Sequence, residues 1–233
     1  MSESIFNTNV ASKNAIKKLD HELKQQLRSV IMQNSKNYGK LQQAIPRKKK
    51  ATIFDILFRF TTNTYTSRPA MKGVFFDKEH GKLVSTNGYV LAVFDEPLKI
   101  EKTMIQDKYG SEITGIFPSY QNIIPKNYNK KYETDIKECL SRIIPIECVS
   151  ASLFSDFPAP CINVVGIRMS VSVLRDIFQS FFDMGDTEIT IEVNSEHSPV
   201  KFTGSMGFSI YAMGCLGRLD NCVWKVPVSE VQK

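Results

Sequence analysis

Two stretches of this chain, 51–98 and 169–216, follow one plan: a single amphipathic helix and then about three short strands. A helix-plus-meander that occurs twice restricts the fold severely. Neither copy can cover its own apolar face, and two copies cover each other. In the first, "TIFDILFRFTTN" fits a short helix with Thr52 as cap and Ile53, Ile56, Leu57 and Phe60 on its inner side. The runs "MKGVFFD" (71–77), "KLVST" (82–86) and "YVLAVFD" (89–95) then read as strands. In the second, "MSVSVLRDIFQSFFDMGD" is a helix with Ser170 or Ser172 as cap, Val171, Leu174, Phe178 and Phe181 on one face, and Gly185 as its stop. Strands "EITIEV" (188–193), "PVKFTG" (199–204) and "FSIYAMGCL" (208–216) follow. Ile189, Ile191 and Val193 alternate with Glu188, Thr190 and Glu192, the pattern of a sheet with one buried face. The expected class is α+β with antiparallel sheets.

Asn87-Gly88 lies between two of these strands and predicts a tight hairpin turn, because both residues tolerate positive φ. Between the repeats, Pro118, Pro125, Pro145, Pro158 and Pro160 punctuate the chain, which predicts a linker with one short helix around 135–143.

Charge is concentrated at one end. Residues 1–50 hold eleven Lys/Arg and three Asp/Glu, a net of +8, whereas the other 183 residues hold nineteen and twenty-one, a net of −2. Such a leader is either an arm that meets a polyanion or a solvated extension. Within it, Ser12 can cap a helix over 12–33 whose Ile16, Leu19, Leu23, Leu27 and Val30 form an apolar stripe, with Lys17, Lys18, Lys24 and Arg28 largely opposite. Four consecutive cations, Arg47, Lys48, Lys49 and Lys50, close the leader.

No apolar run approaches the ~20 residues needed to cross a bilayer. The N-terminus has no secretory pattern either, so a cytoplasmic protein is expected. Five cysteines at irregular spacing, with no C-x-x-C pair and no histidine nearby, read as buried thiols and predict neither a metal site nor a cofactor. There is no Gly-rich phosphate loop, no H-E-x-x-H and no G-x-S-x-G, so no catalytic residue is assigned. His80 and His197 sit in polar, turn-like stretches.

Three segments, in order, resemble the bacterial sliding clamp, the β subunit of DNA polymerase III. "RPAMKGVFFDKEHGKLVSTNGYVLAV" (68–93) is similar to the clamp's middle-domain stretch ending in T-D-G-H-R-L-A. "FPSYQNIIPKN" (117–127) is similar to F-P-D-Y-x-x-V-I-P-K-N, and "MSVSVLRDIFQSF…ITIEVNSEHSPVKFTG…IYAMGCL" resembles the last domain's final helix and strands. The resemblance covers about 45–217. It implies a DNA-clamp-like fold of repeated helix-plus-strand units, helices that meet duplex DNA through Lys and Arg without reading sequence, and an apolar cleft that takes peptides from a polymerase or other partners. Carried across, the cleft positions are Thr86, Gly88, Tyr89, Leu91, Pro118 and Met213, and the DNA-facing cations are Arg47, Lys48, Lys49, Lys50, Arg59 and Arg175. Asn87 stands where the family has an acid, Tyr89-Val90 where it has His-Arg, and Gly214 where it has proline. The implied division is a basic helical extension (1–44), a first clamp-like unit with linker (45–127), a second unit (128–219) and a tail (220–233). A chain shorter than three clamp domains needs further copies to close a ring. Two functions therefore stand side by side. One is a non-catalytic, DNA-associated processivity or recruitment factor. The other is a clamp-fold interaction module that self-associates, as a homo-oligomer, without encircling DNA.

Overall fold

Thr52 opens the first helix, α1 (Ile53–Arg59), through a reciprocal cap: its hydroxyl accepts from the amide of Asp55, and the Asp55 carboxylate accepts from the amide of Thr52 at 2.8 Å. The computed structural model describes residues 51–62, 68–95, 100–153, 160–195 and 197–231; the helix expected over 12–33 and the cations Arg47, Lys48, Lys49 and Lys50 lie outside the described residues. After a 3-10 turn at Pro69–Lys72 come β1 (Val74–Asp77), β2 (Lys82–Thr86), β3 (Val90–Asp95) and β4 (Met104–Gln106). The second half runs β5 (Lys130–Asp135), α2 (Ile136–Leu153), β6 (Cys161–Val164), β7 (Ile167–Ser170), α3 (Val171–Met184), β8 (Glu188–Val193), β9 (Val200–Thr203) and β10 (Phe208–Ala212). Two short strands, β11 (Trp224–Lys225) and β12 (Ser229–Glu230), end it.

The repeat is present, and it is joined edge to edge. The last strand of one copy pairs antiparallel with the last strand of the other, Ile210 opposite Ala92 at the centre of the β3–β10 ladder. Among the described residues this makes one nine-stranded sheet in the order β12-β5-β8-β9-β10-β3-β2-β1-β4; a separate sheet has the order β11-β6-β7. The helices lie on one face of the large sheet. Ile56, Leu57 and Phe60 of α1 and Leu174, Ile177, Phe178 and Phe181 of α3 share one core with Val74, Leu83, Ala92, Ile191, Phe202, Phe208 and Ile210 of the strands. Each of these buried side chains larger than alanine contributes about 1.5–3 kcal/mol. Gly185, at φ 99, ends α3 as expected. Ser170 begins it, but its hydroxyl faces that of Ser172 at 2.9 Å rather than a backbone amide.

Three features differ from the sequence reading. The helix expected over 135–143 extends to Leu153 and contains Pro145, and Ile136, Cys139, Leu140, Ile143 and Ile146 bury its face in the main core. Tertiary burial here outweighs the lost backbone hydrogen bond of an internal proline. Second, the central strands are buried on both faces: Val84, Leu91, Val93 and Tyr211 belong to a second cluster on the far side, with Phe117 and Tyr120. Third, the cysteines are free, but Cys215 is exposed rather than buried.

Candidate functional site

The far-side cluster shows what the segment between the units does. Phe117 stacks on Phe75, ring centroids 4.8 Å apart and ring planes nearly parallel. Three residues on, the Tyr120 hydroxyl donates to the Asp77 carboxylate at 2.8 Å, and the same oxygen lies 2.8 Å from Nδ1 of His80. Burial alone would raise the Asp77 carboxyl; the hydrogen bonds from Tyr120 and from the backbone and ring of His80 outweigh it and hold the group below its ordinary value. Burial, followed by the hydrogen bond to Asp77 and then that carboxylate's charge, pushes the Tyr120 phenol up. The linker is thus clamped on the sheet by one stacked ring pair and one charge-assisted hydrogen bond. Neither Phe75–Phe117 nor Asp77–Tyr120 is marked by spacing, because each joins residues about forty apart.

The β2–β3 turn stands at the end of this covered face. Its Thr86 hydroxyl donates to the carbonyl of Val90 at 2.7 Å and accepts from the amide of Gly88 at 3.1 Å. The Asn87 side-chain oxygen accepts from the amides of Tyr89 (3.0 Å) and Val90 (2.9 Å). Of these residues Gly88 alone has positive φ, 93°. The turn is therefore centred on Gly88-Tyr89, not on Asn87-Gly88, because Asn87 uses its side chain to hold the corner. Tyr89 is left 75% exposed. Its carbonyl accepts from the amide of Met213 at 3.1 Å, which brings the end of β10 beside the turn. Met213 is exposed as well, and so is Leu216, whose carbonyl is held by Arg168 Nη1 at 2.6 Å.

The six expected cleft residues separate into two groups. Tyr89 and Met213 make an exposed apolar rim, with Gly88 in the turn against Met71. Thr86 and Leu91 are buried, Leu91 beneath the layer of Phe117 and Tyr120, and Pro118 is half-buried beside Phe117. The rim is brought together by the β3–β10 pairing. Leu216 was not identified from sequence; it is a lone apolar residue in a glycine-rich loop and carries no periodic signal.

The two described cations expected to face DNA are engaged within the fold. Arg59 of α1 is ion-paired with Asp183 of α3 and lies 3.3 Å from the Ser180 hydroxyl. Arg175 of α3 pairs with Glu147 of α2 at 3.2 Å and with Asp176 at 2.9 Å. The three described α-helices together carry four cations (Arg59, Lys137, Arg142, Arg175) and five carboxylates (Asp55, Glu138, Glu147, Asp176, Asp183). Their combined surface is not basic. Among the described residues no group of three His, Cys, Asp or Glu side chains is placed to hold a metal. No helix among them is long and apolar enough to cross a membrane.

No family model matches the sequence, and no curated protein matches it either. Solved structures do. The fold is similar to the β chain of DNA polymerase III from Streptococcus pneumoniae, with a TM-score of 0.56 at 11% identity, over 76% of this chain and 68% of that one. It is similar to the β subunit from Borrelia burgdorferi, 0.56 at 17% identity, over 77% and 67%. A third match is the Helicobacter pylori β clamp bound to a DNA ligase peptide, 0.53 at 14% identity, over 75% and 69%. The chain has the α+β fold of the bacterial sliding clamps.

Proposed function

We propose that this protein is a non-catalytic, clamp-fold factor that associates with duplex DNA irrespective of sequence and docks replication or repair partners on the rim made by Tyr89 and Met213. The observation that carries this reading is the junction of the two units, where the β3–β10 ladder sets an exposed aromatic and an exposed methionine on adjoining backbone. Apolar side chains beside a rigid turn are what a short linear peptide binds. The clamp of Helicobacter pylori carries a DNA ligase peptide, which makes a peptide of that kind the appropriate probe.

The grip on DNA is assigned to the leader, not to the helices. With Arg59 and Arg175 neutralised by carboxylates, the helices offer phosphates little net charge, whereas residues 1–50 hold a net of +8. Fluorescence anisotropy with that ligase peptide, on the full chain and on Tyr89→Ala, tests the docking part. Saturable binding weakened by the substitution supports it; binding of equal strength in both, or none, removes the rim from the account.

The neutral helix face also favours the second reading, a clamp-fold module that binds partners without encircling DNA. It keeps the peptide rim and predicts no salt-dependent DNA binding.

A further inference from the structure

Cys161, at the start of β6, stands opposite Ser170 of β7, and Asn163 stands opposite Arg168. Residues two apart on a strand share a face, and so do residues opposed across a pair. The side chains of Cys161, Arg168 and Ser170 therefore project from one side of the small sheet. The loop that follows β10, residues 213–217, is held against β7. Its Cys215 amide donates to the Arg168 carbonyl at 2.6 Å, and Arg168 Nη1 donates to the Leu216 carbonyl at 2.6 Å. A Cβ at Gly217 would run into the same guanidinium. Two thiols meet here: the Cys161 sulfur is within hydrogen-bonding reach of the Cys215 sulfur and of the Arg168 guanidinium.

The two sulfurs are in different settings. Cys161 is buried, and burial, more than the nearby Cys215, pushes its thiol up and keeps it protonated, while the Arg168 charge works the other way. Cys215 is exposed. An exposed sulfur with a sheltered one behind it is oxidised first and is then trapped as a disulfide, before higher oxides form. Gly214 and Gly217 flank Cys215 and Leu216, so this segment can move the short way that a sulfur–sulfur bond of about 2.05 Å requires. The same loop carries Met213 of the rim, whose amide is bonded to the Tyr89 carbonyl.

We infer that Cys161 and Cys215 are a peroxide-responsive pair whose disulfide draws the 213–217 loop toward β6 and weakens peptide docking on the rim of Tyr89 and Met213. The docking part rests on the function proposed above. In the first step the Cys215 sulfur attacks one oxygen of hydrogen peroxide and the O–O bond breaks, leaving a sulfenic acid and one water. In the second the Cys161 sulfur attacks the Cys215 sulfur. The S–O bond breaks, and the departing hydroxyl takes the Cys161 proton as a second water. Two thiols lose two electrons and two protons, and the peroxide takes up both. A thiol reductant reverses the bond by exchange.

Hydrogen peroxide applied to the full chain, with linked tryptic peptides sequenced by mass spectrometry, tests the pair without any ligand. A link from Cys161 to Cys215 within one chain is expected, absent in Cys215→Ser and lost on adding dithiothreitol. Anisotropy with the ligase peptide then compares the two forms. Affinity should fall about fivefold or more on oxidation and return with dithiothreitol. Cys215→Ser, a change at an exposed position, should bind as the reduced parent does, with or without peroxide. No link between Cys161 and Cys215, a link to Cys222 in its place, or a link between two chains overturns the inference. So does a linked chain that binds the peptide as strongly as the reduced one. A loss of binding that Cys215→Ser shares, as oxidation of Met213 would give, overturns it too. Peptide binding by neither form removes the rim from the proposed function and the docking part with it, and the link alone then decides the thiol pair.

Discussion

Arg59 on α1, a cation expected to face DNA, is ion-paired with Asp183 on α3 and fastens the helix of one repeat to the helix of the other. Both side chains are about a quarter exposed, which screens the pair only in part. Arg59→Ala should therefore cost about 1–2 kcal/mol in urea unfolding, as expected for a charged hydrogen bond lost at a partly buried site. DNA affinity measured on the folded variant should change little.

At the β2–β3 turn, conformation and surface separate cleanly. Gly88 at φ 93 places any added Cβ 3.4 Å from Met71 Cε, so Gly88→Ala should destabilise the chain by about 1–2 kcal/mol. Tyr89→Ala should stay within about 0.5 kcal/mol of the parent, because the ring is mostly in solvent. The same change should weaken peptide binding about tenfold or more if the ring is an anchor. Thermal melts and peptide anisotropy on both variants check this.

Acid should loosen the linker. The Asp77 carboxyl lies below its ordinary value of 3.8 in the folded chain, so its contribution is complete above the unfolded value and is lost as pH falls through the folded one. Tyr120→Phe removes the donor, moves the Asp77 titration upward, and should cost about 1.5–3 kcal/mol at neutral pH. That cost should shrink near pH 3, where protonation of the carboxyl diminishes the contribution of this hydrogen bond. Denaturant titrations at the two pH values read the difference directly.

The β6–β7 hairpin turns at Val165 and Gly166, with φ of 52° and 86°. Positive φ at both central residues suits Asn-Gly and strains a β-branched side chain. Val165→Asn should relieve that strain at the loss of some packing of the half-buried Val165 on the core, for a net gain of no more than about 1 kcal/mol. A higher melting temperature with unchanged peptide binding is the expected outcome.

The repeat was legible because its signals are local: periodic apolar residues, a capping threonine at Thr52, and a terminal glycine at Gly185. The edge-to-edge joining of β3 and β10 was not, since a ladder between Val90 and Ala212 leaves no spacing to read. The alternation of Ile189, Ile191 and Val193 does mark one buried face in β8. Pro145 concealed half of α2, and nothing in the runs of β2 and β3 told that Phe117 and Tyr120 would cover their far side. At the site, the resemblance pointed to Tyr89 and Met213, which the fold does bring together. It also pointed to Arg59 and Arg175, whose partners Asp183 and Glu147 lie on other helices.

As proposed, a cationic leader holds the clamp-fold body on DNA. The direct measurement is duplex affinity as a function of salt for the full chain, for Arg175→Ala, and for a variant with Arg47, Lys48, Lys49 and Lys50 all changed to alanine. Log affinity should fall linearly with log salt for the full chain and for Arg175→Ala alike, by about 0.9 per phosphate engaged. It should fall less steeply, from a weaker starting value, for the leader variant. No binding by the full chain, or a slope that Arg175→Ala lowers and the leader variant leaves unchanged, would contradict it.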